Sequence, residues 1–182
     1  MGKLIIFPTD TVYGIGCGIF DVDNIKKIYN IKNRSYEKPL ACLCASIEQI
    51  NSIAIIDDNS RKLINEFLPG GLTLILKSRE EVYLKIGYKT IGVRIPNCKI
   101  ALNILQKNGP MLTTSVNDSG AVPINEYEEI VQKYSNLVDE IYQANEDSSN
   151  LSSTVVSVIE SEVKILREGA ITAKDINRVL NV

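Results

Sequence analysis

The run Leu40-Ala41-Cys42-Leu43-Cys44-Ala45 (LACLCA, 40–45) places six small or apolar residues in a row without a polar break. A strand with one wet face would alternate, so this run reads as a strand covered on both sides, and such cover means helices packed on a sheet. Upstream, Leu4-Ile5-Ile6-Phe7 is a second apolar strand stopped by Pro8, after which Thr9 to Gly16 reads as an ordered loop. Between the two runs, Ile25, Ile28, Tyr29 and Ile31 recur at helical spacing behind a cap at Asp21 or Asp23, which predicts a helix ending near Asn33.

Downstream the alternation continues. Asn59 or Ser60 opens a helix with Leu63, Ile64, Phe67 and Leu68 on one side, and Pro69-Gly70-Gly71 stops it before a strand from Leu72 to Leu76. Thr90 to Ile95, Met111 to Ser115 and Val138 to Tyr142 read as further strands, with helices around Ile100 to Leu105 and Tyr127 to Tyr134. Ser153 to Ile159 and Val163 to Leu166 suit a hairpin, and Thr172 caps a last helix through Leu180. Irregular interleaving of this kind predicts an α/β (α+β) sheet domain. At 182 residues the expectation is one globular unit over 1–182.

Composition removes several classes. Apolar residues make up 45% and mean hydropathy is +0.02, so a disordered chain does not fit, and no apolar run reaches the ~18 residues that a membrane span needs. With no signal-peptide pattern at its start, the chain is expected in the cytoplasm. The four cysteines lack a CxxC pair and read as free thiols. Histidine is absent altogether, which excludes every Ser-His or Cys-His nucleophile and the commonest general base. Any chemistry must then use carboxylates, lysines, metal ions, backbone amides, or a substrate that carries its own nucleophile. The net charge of −2 argues against a polyanion-binding surface as a whole. It is unevenly spread, however: residues 1–120 carry +4 and residues 121–182 carry −6.

Five polar clusters fall at strand ends, where a sheet usually projects its functional groups. Thr9-Asp10-Thr11 with Tyr13-Gly14 suits a small polar ligand, or a turn closed by its own side chains. Lys32, Arg34 and Lys38 form a cationic group at a helix exit, either a phosphate clamp or a solvated face. Pro69-Gly70-Gly71 is a helix stop or a close approach of backbone to ligand; it is not a Walker A loop, and no GxGxxG occurs. Arg94 shares a strand face with Gly92, so a lone guanidinium stands beside open space and invites an anion; its plainer alternative is an edge-strand arginine reaching water. Hydroxyl and amide groups gather at Thr113 to Asn117 and again at Ser152-Ser153-Thr154, near Arg167.

In this order the segments FPTDTVYGIG (7–16), KNR with KPL (32–40), PGGLTLIL (69–76), GVRIPN (92–97), TSVNDSG (114–120), SSTVV (152–156) and LREGAI (166–171) resemble the YrdC-like domain of threonylcarbamoyl-AMP synthases over nearly the whole chain. The resemblance implies a twisted mixed sheet with flanking helices around a basic cavity. It also implies a nucleotidyltransferase that joins L-threonine, bicarbonate and ATP into threonylcarbamoyl-AMP and pyrophosphate, with Mg²⁺ accompanying ATP. A tRNA-modifying transferase complex would then place the group on tRNA position 37, and weak contact with RNA is a further implied partner. By motif, Lys32, Arg34, Ser115 and Asn117 are the expected catalytic tetrad. Arg34, Lys38, Thr90, Asn117 and Arg167 are expected on the ATP side, and Thr9, Thr11, Arg94, Ser115 and Ser153 around threonine. Asp10 is the one acidic residue of the first motif, a candidate for organising that loop or a metal's waters.

The chain departs from the family pattern at Gly71 (PGG for PGP), at Leu43 where many members carry histidine, and at Ser157 where an aspartate usually follows STVV. The resemblance implies the short, single-domain form as the expectation. Two other readings remain at this stage: a non-catalytic RNA-binding module of the same fold, and a carbamoyltransferase-related domain like that of hydrogenase maturation proteins.

Overall fold

The computed structural model describes residues 2–145, 148–160 and 162–181. Among them nine strands make one mixed sheet. They are β1 (Ile5–Phe7), β2 (Gly14–Gly18), β3 (Ala41–Leu43), β4 (Leu72–Lys77), β5 (Thr90–Arg94), β6 (Met111–Ser115), β7 (Glu140–Ile141), β8 (Thr154–Ile159) and β9 (Glu162–Arg167). Across the sheet they run β7-β1-β2-β6-β3-β5-β4-β8-β9. The LACLCA strand is therefore central, antiparallel to β6 and parallel to β5. Seven helices cover the sheet: α1 (Val22–Ile31), α2 (Ile47–Ile53), α3 (Asp58–Phe67), α4 (Glu80–Ile86), α5 (Lys99–Asn108), α6 (Tyr127–Tyr134) and α7 (Ala173–Leu180). None is long and apolar enough to cross a membrane.

The two faces of the sheet do different work, and the two-residue period of the strands decides which side chain goes where. Ile15, Cys17, Cys42, Leu72, Leu74, Val93, Leu112 and Val156 point to one face. There they join Ile28, Ile50, Leu63, Ile130 and Ile176 from the helices in the main core. On the other face Ile5, Phe7, Leu43 and Met111 pack under α5 through Ala101, Ile104 and Leu105. Beyond α5 that second face stays open. Cover on both sides holds for Cys42, while Ala41 and Leu43 on the second face border the open part, Leu43 from beneath α5.

Several sequence expectations shift. The segment Thr9 to Gly16 ends in a strand, because Gly14 to Gly18 is gripped between β1 and β6 despite three glycines of poor strand propensity. Helix α3 starts earlier than Asn59: Asp57 is the cap, and Ser60 returns the bond from the third helical position. Helices α2 and α4 were not foreseen; each has seven residues, too few for a clear apolar period. The strand expected at Val138 to Tyr142 narrows to Glu140–Ile141 at the sheet edge.

Candidate functional site

The open part of the second face is a cavity of about 370 Å³, within the range of small-molecule sites. Its floor is low because Gly92, Ala41 and Thr113 lie side by side on β5, β3 and β6. Gly14 continues the lining on β2; a Cβ there would come within 2.7 Å of the Thr113 methyl, so only glycine allows that approach.

At one end of the cavity the first motif folds into a tight turn. The Thr9 hydroxyl donates to the Val12 carbonyl (2.7 Å) and accepts from the Thr11 and Val12 amides, so the hydroxyl builds the loop that presents it. Arg94 reaches this turn from β5. It is 6% exposed and its donors are largely engaged: Nε to the Gly70 carbonyl (2.9 Å), Nη1 to Thr11 Oγ1 (2.7 Å) and Nη2 to Asp10 Oδ1 (2.6 Å). Asp10 also accepts from the Asn97 amide at 3.0 Å. Burial pulls the guanidinium below its ordinary range, and the Asp10 charge opposes that pull. The plainer alternative for Arg94 does not hold, and the loop-organising candidate Asp10 does hold. Arg94 sits on a central strand rather than an edge, and the anion beside it is this chain's own Asp10, which organises the loop.

The cationic group of residues 32–38 divides in three. Lys32 is 2% exposed and turns inward, away from the cavity lining, where its ammonium donates to the carbonyls of Ser115 and Asn117 and to Asn117 Oδ1 (2.6 Å). Burial first and Arg34 second bring it down to about 8, with Asp118 working the other way. Ser115 also donates to Asn117 Oδ1 (2.7 Å), so Lys32 and Asn117 form a brace behind Ser115, which does line the cavity. Arg34 lines it too, half-buried, with Nε and Nη2 on the carbonyls of Lys38 and Pro39. Lys38 offers only that carbonyl; its side chain lies outside the lining and in solvent.

At the far rim, Arg167 donates from Nε (3.0 Å) and Nη2 (2.8 Å) to the Ser153 carbonyl and from Nη2 to Ser153 Oγ (3.2 Å). Ser153 in turn shares a hydroxyl bond with Thr73 at 2.8 Å. Thr9, Thr11, Arg34, Thr90, Arg94, Ser115, Ser153 and Arg167 are thus brought together around one cavity, whereas Lys32, Lys38 and Asn117 stand outside its lining. Thr73, Thr113, Thr114 and Ser152 line it without having been singled out as ligand-binding. Thr73 was legible, since a hydroxyl between Leu72 and Leu74 breaks an apolar strand just as Arg94 does in β5. Among the described lining residues are three arginines and no carboxylate. No group of three or more His, Cys, Asp or Glu that could hold a metal occurs among the described residues.

The family model Sua5_yciO_yrdC, described as "Telomere recombination", matches residues 1–169. The chain belongs to this Sua5/YciO/YrdC family. It is 32% identical over 179 residues to a putative threonylcarbamoyl-AMP synthase of Methanocaldococcus jannaschii, covering 97% of this chain and 84% of that protein. It is 32% identical to the threonylcarbamoyl-AMP synthase of Pyrococcus abyssi, of which it spans only 54%. The crystal structure of P. abyssi Sua5 complexed with L-threonine superposes with a TM-score of 0.90 over 98% of this chain and 54% of that one. Escherichia coli YciO, an uncharacterized protein, is 30% identical over 92% of this chain and 84% of its own length.

Proposed function

We propose that this chain is a threonylcarbamoyl-AMP synthase, a nucleotidyltransferase acting on L-threonine, bicarbonate and ATP ahead of tRNA threonylcarbamoylation. The observation that carries the reading is one cavity bordered by Arg34, Arg94 and Arg167 together with the hydroxyls of Thr9, Thr11, Thr90, Ser115 and Ser153. The named synthases among its relatives support it, as does the P. abyssi complex with L-threonine. An RNA-binding module without chemistry has no comparable support, and neither does a carbamoyltransferase.

In this reading the Thr9–Thr11 turn and Arg94 receive threonine, with Ser153 beside them. Threonine's amine and bicarbonate give a carbamate and water. A carbamate oxygen then attacks the α-phosphorus, and pyrophosphate departs from the opposite side. The attacking group is already anionic, so the reaction runs without a strong base, in keeping with a cavity that has neither imidazole nor carboxylate in its described lining. Arg34 and Arg167, with Thr90, offset charge on the phosphates. Lys32 and Asn117 act from behind by fixing Ser115. Magnesium belongs to the substrate here, as the metal–nucleotide complex, because the lining has no carboxylate set for it.

The test is pyrophosphate release by purified protein. Release is expected with ATP, threonine and bicarbonate together, and omission of threonine or bicarbonate should abolish it. Release with ATP alone, or none with all three, overturns the reading.

A further inference from the structure

Thr154 is fully buried on β8 and lies outside the cavity lining, and its hydroxyl makes three hydrogen bonds to one short segment. It donates to the Ile171 carbonyl (2.7 Å) and accepts from the amides of Gly169 (2.9 Å) and Ile171 (3.0 Å). Residues 168–171 follow β9 directly and cross back over the start of β8, so this one side chain fastens the chain where it leaves Arg167. The fit is tight: a Cβ on Gly169 would come within 2.1 Å of the Ser152 carbonyl oxygen. The next residue, Ala170, lies over Gly71, where a Cβ would meet its methyl at 3.4 Å.

Such a fastening has a specific effect on the rim. Arg167 is exposed and ends β9 beside a register shift, its backbone paired with Val155 and its described side-chain hydrogen bonds all on Ser153, so the clasped segment holds the chain on its other side. Ser153, in contrast, has a second anchor in Thr73, and the Thr154 amide is held separately by the Gly71 carbonyl. Loss of the Thr154 hydroxyl therefore loosens the end of β9 that carries Arg167, and with it the angle at which the guanidinium meets Ser153, while Ser153 keeps its own anchors. We propose that Thr154 is a positioning residue: its buried hydroxyl clasps residues 169–171 against β8 and thereby aims Arg167 at the nucleotide side of the cavity. This rests on the synthase reading for what Arg167 does, though not for the clasp itself.

The variants Thr154→Val and Thr154→Ser, each alone and with Arg167→Ala, test it by steady-state pyrophosphate release. Thr154→Val is expected to raise KM for ATP about tenfold, the size of losing one or two hydrogen bonds near a charged group, with KM for threonine and kcat within about threefold. Thr154→Ser, which keeps the oxygen, should stay within about twofold of wild type. In the Arg167→Ala background Thr154→Val should add less than about twofold, since its path runs through Arg167. Equal rises in both KM values, or the full tenfold on top of Arg167→Ala, overturn the proposal. If Thr154→Val does not fold, Thr154→Ala, which removes the same oxygen without a methyl in its place, must show the same ATP-selective rise. A wild type that releases no pyrophosphate defeats the synthase reading alone. The clasp is then judged by hydrogen exchange: the Gly169 and Ile171 amides should exchange at least about tenfold faster in Thr154→Val with Val158 unchanged, and unaltered exchange overturns it.

Discussion

Arg94 and Arg34 border one cavity from contrasting surroundings. Arg94 is buried, ion-paired with Asp10 and bonded to Thr11, so its direction is set before any ligand arrives. Arg34 is half-buried and donates to two backbone carbonyls of its own loop, which fix its plane and leave its charge unopposed by any ion pair among those described. One end of the site is therefore part of the fold's interior electrostatics, and the other is a charge held ready at the surface. In the proposed function, structure and ligand binding are coupled at the first end and separable at the second.

The sharpest test of that contrast is Arg94→Ala. It strands the Asp10 carboxylate, and removing one partner of a buried pair costs about 3–5 kcal/mol, to be read from denaturant unfolding together with loss of threonine binding. A stability loss below about 1 kcal/mol would erase the distinction between the two ends. Arg34→Ala should leave unfolding within about 0.5 kcal/mol of wild type. Its ATP affinity should fall about thirtyfold by calorimetry, the range of hydrogen bonds to charged groups, with threonine affinity unchanged. Equal losses for both ligands would mean the two arginines share one subsite.

The smallest effect concerns the brace behind Ser115. Lys32 lies near 8 in the folded chain, below an ordinary lysine at 10.5. Between those values the unfolded chain holds a proton that the folded chain has released, so stability from this group rises with pH across that window and is flat below it. Against Lys32→Met, wild type should gain on the order of 1 kcal/mol between pH about 7 and about 10 in chemical denaturation. A difference that stays constant with pH would place Lys32 in water rather than behind the site.

Much of this was legible in the chain. The unbroken run at 40–45 marked a strand, observed as Ala41–Leu43, and the spacing of Tyr127 to Tyr134 and the cap at Thr172 gave α6 and α7 at their observed limits. Period two put Gly92 and Arg94 on one face, where they now line the cavity. What was hidden has a common cause: it depends on partners far away in sequence. Gly14 to Gly18 becomes a strand only through β1 and β6. Nothing local told that Lys32 would turn inward while Arg34, two residues on, lines the cavity, because the acceptors for Lys32 lie at residues 115 and 117. Nor could spacing reveal that Asp10, 84 positions from Arg94, is its counter-ion.

The low floor of the cavity sets a direction on the molecule's possible histories. Gly14, Ala41 and Gly92 carry at most a methyl group, so no replacement of these side chains can deepen the hollow appreciably, while almost every replacement makes it shallower. At Gly92 a methyl would find its nearest neighbours at 3.4 and 3.7 Å, which the backbone can accept. Drift there can thus leave a well-folded chain that has quietly lost room for what it once held.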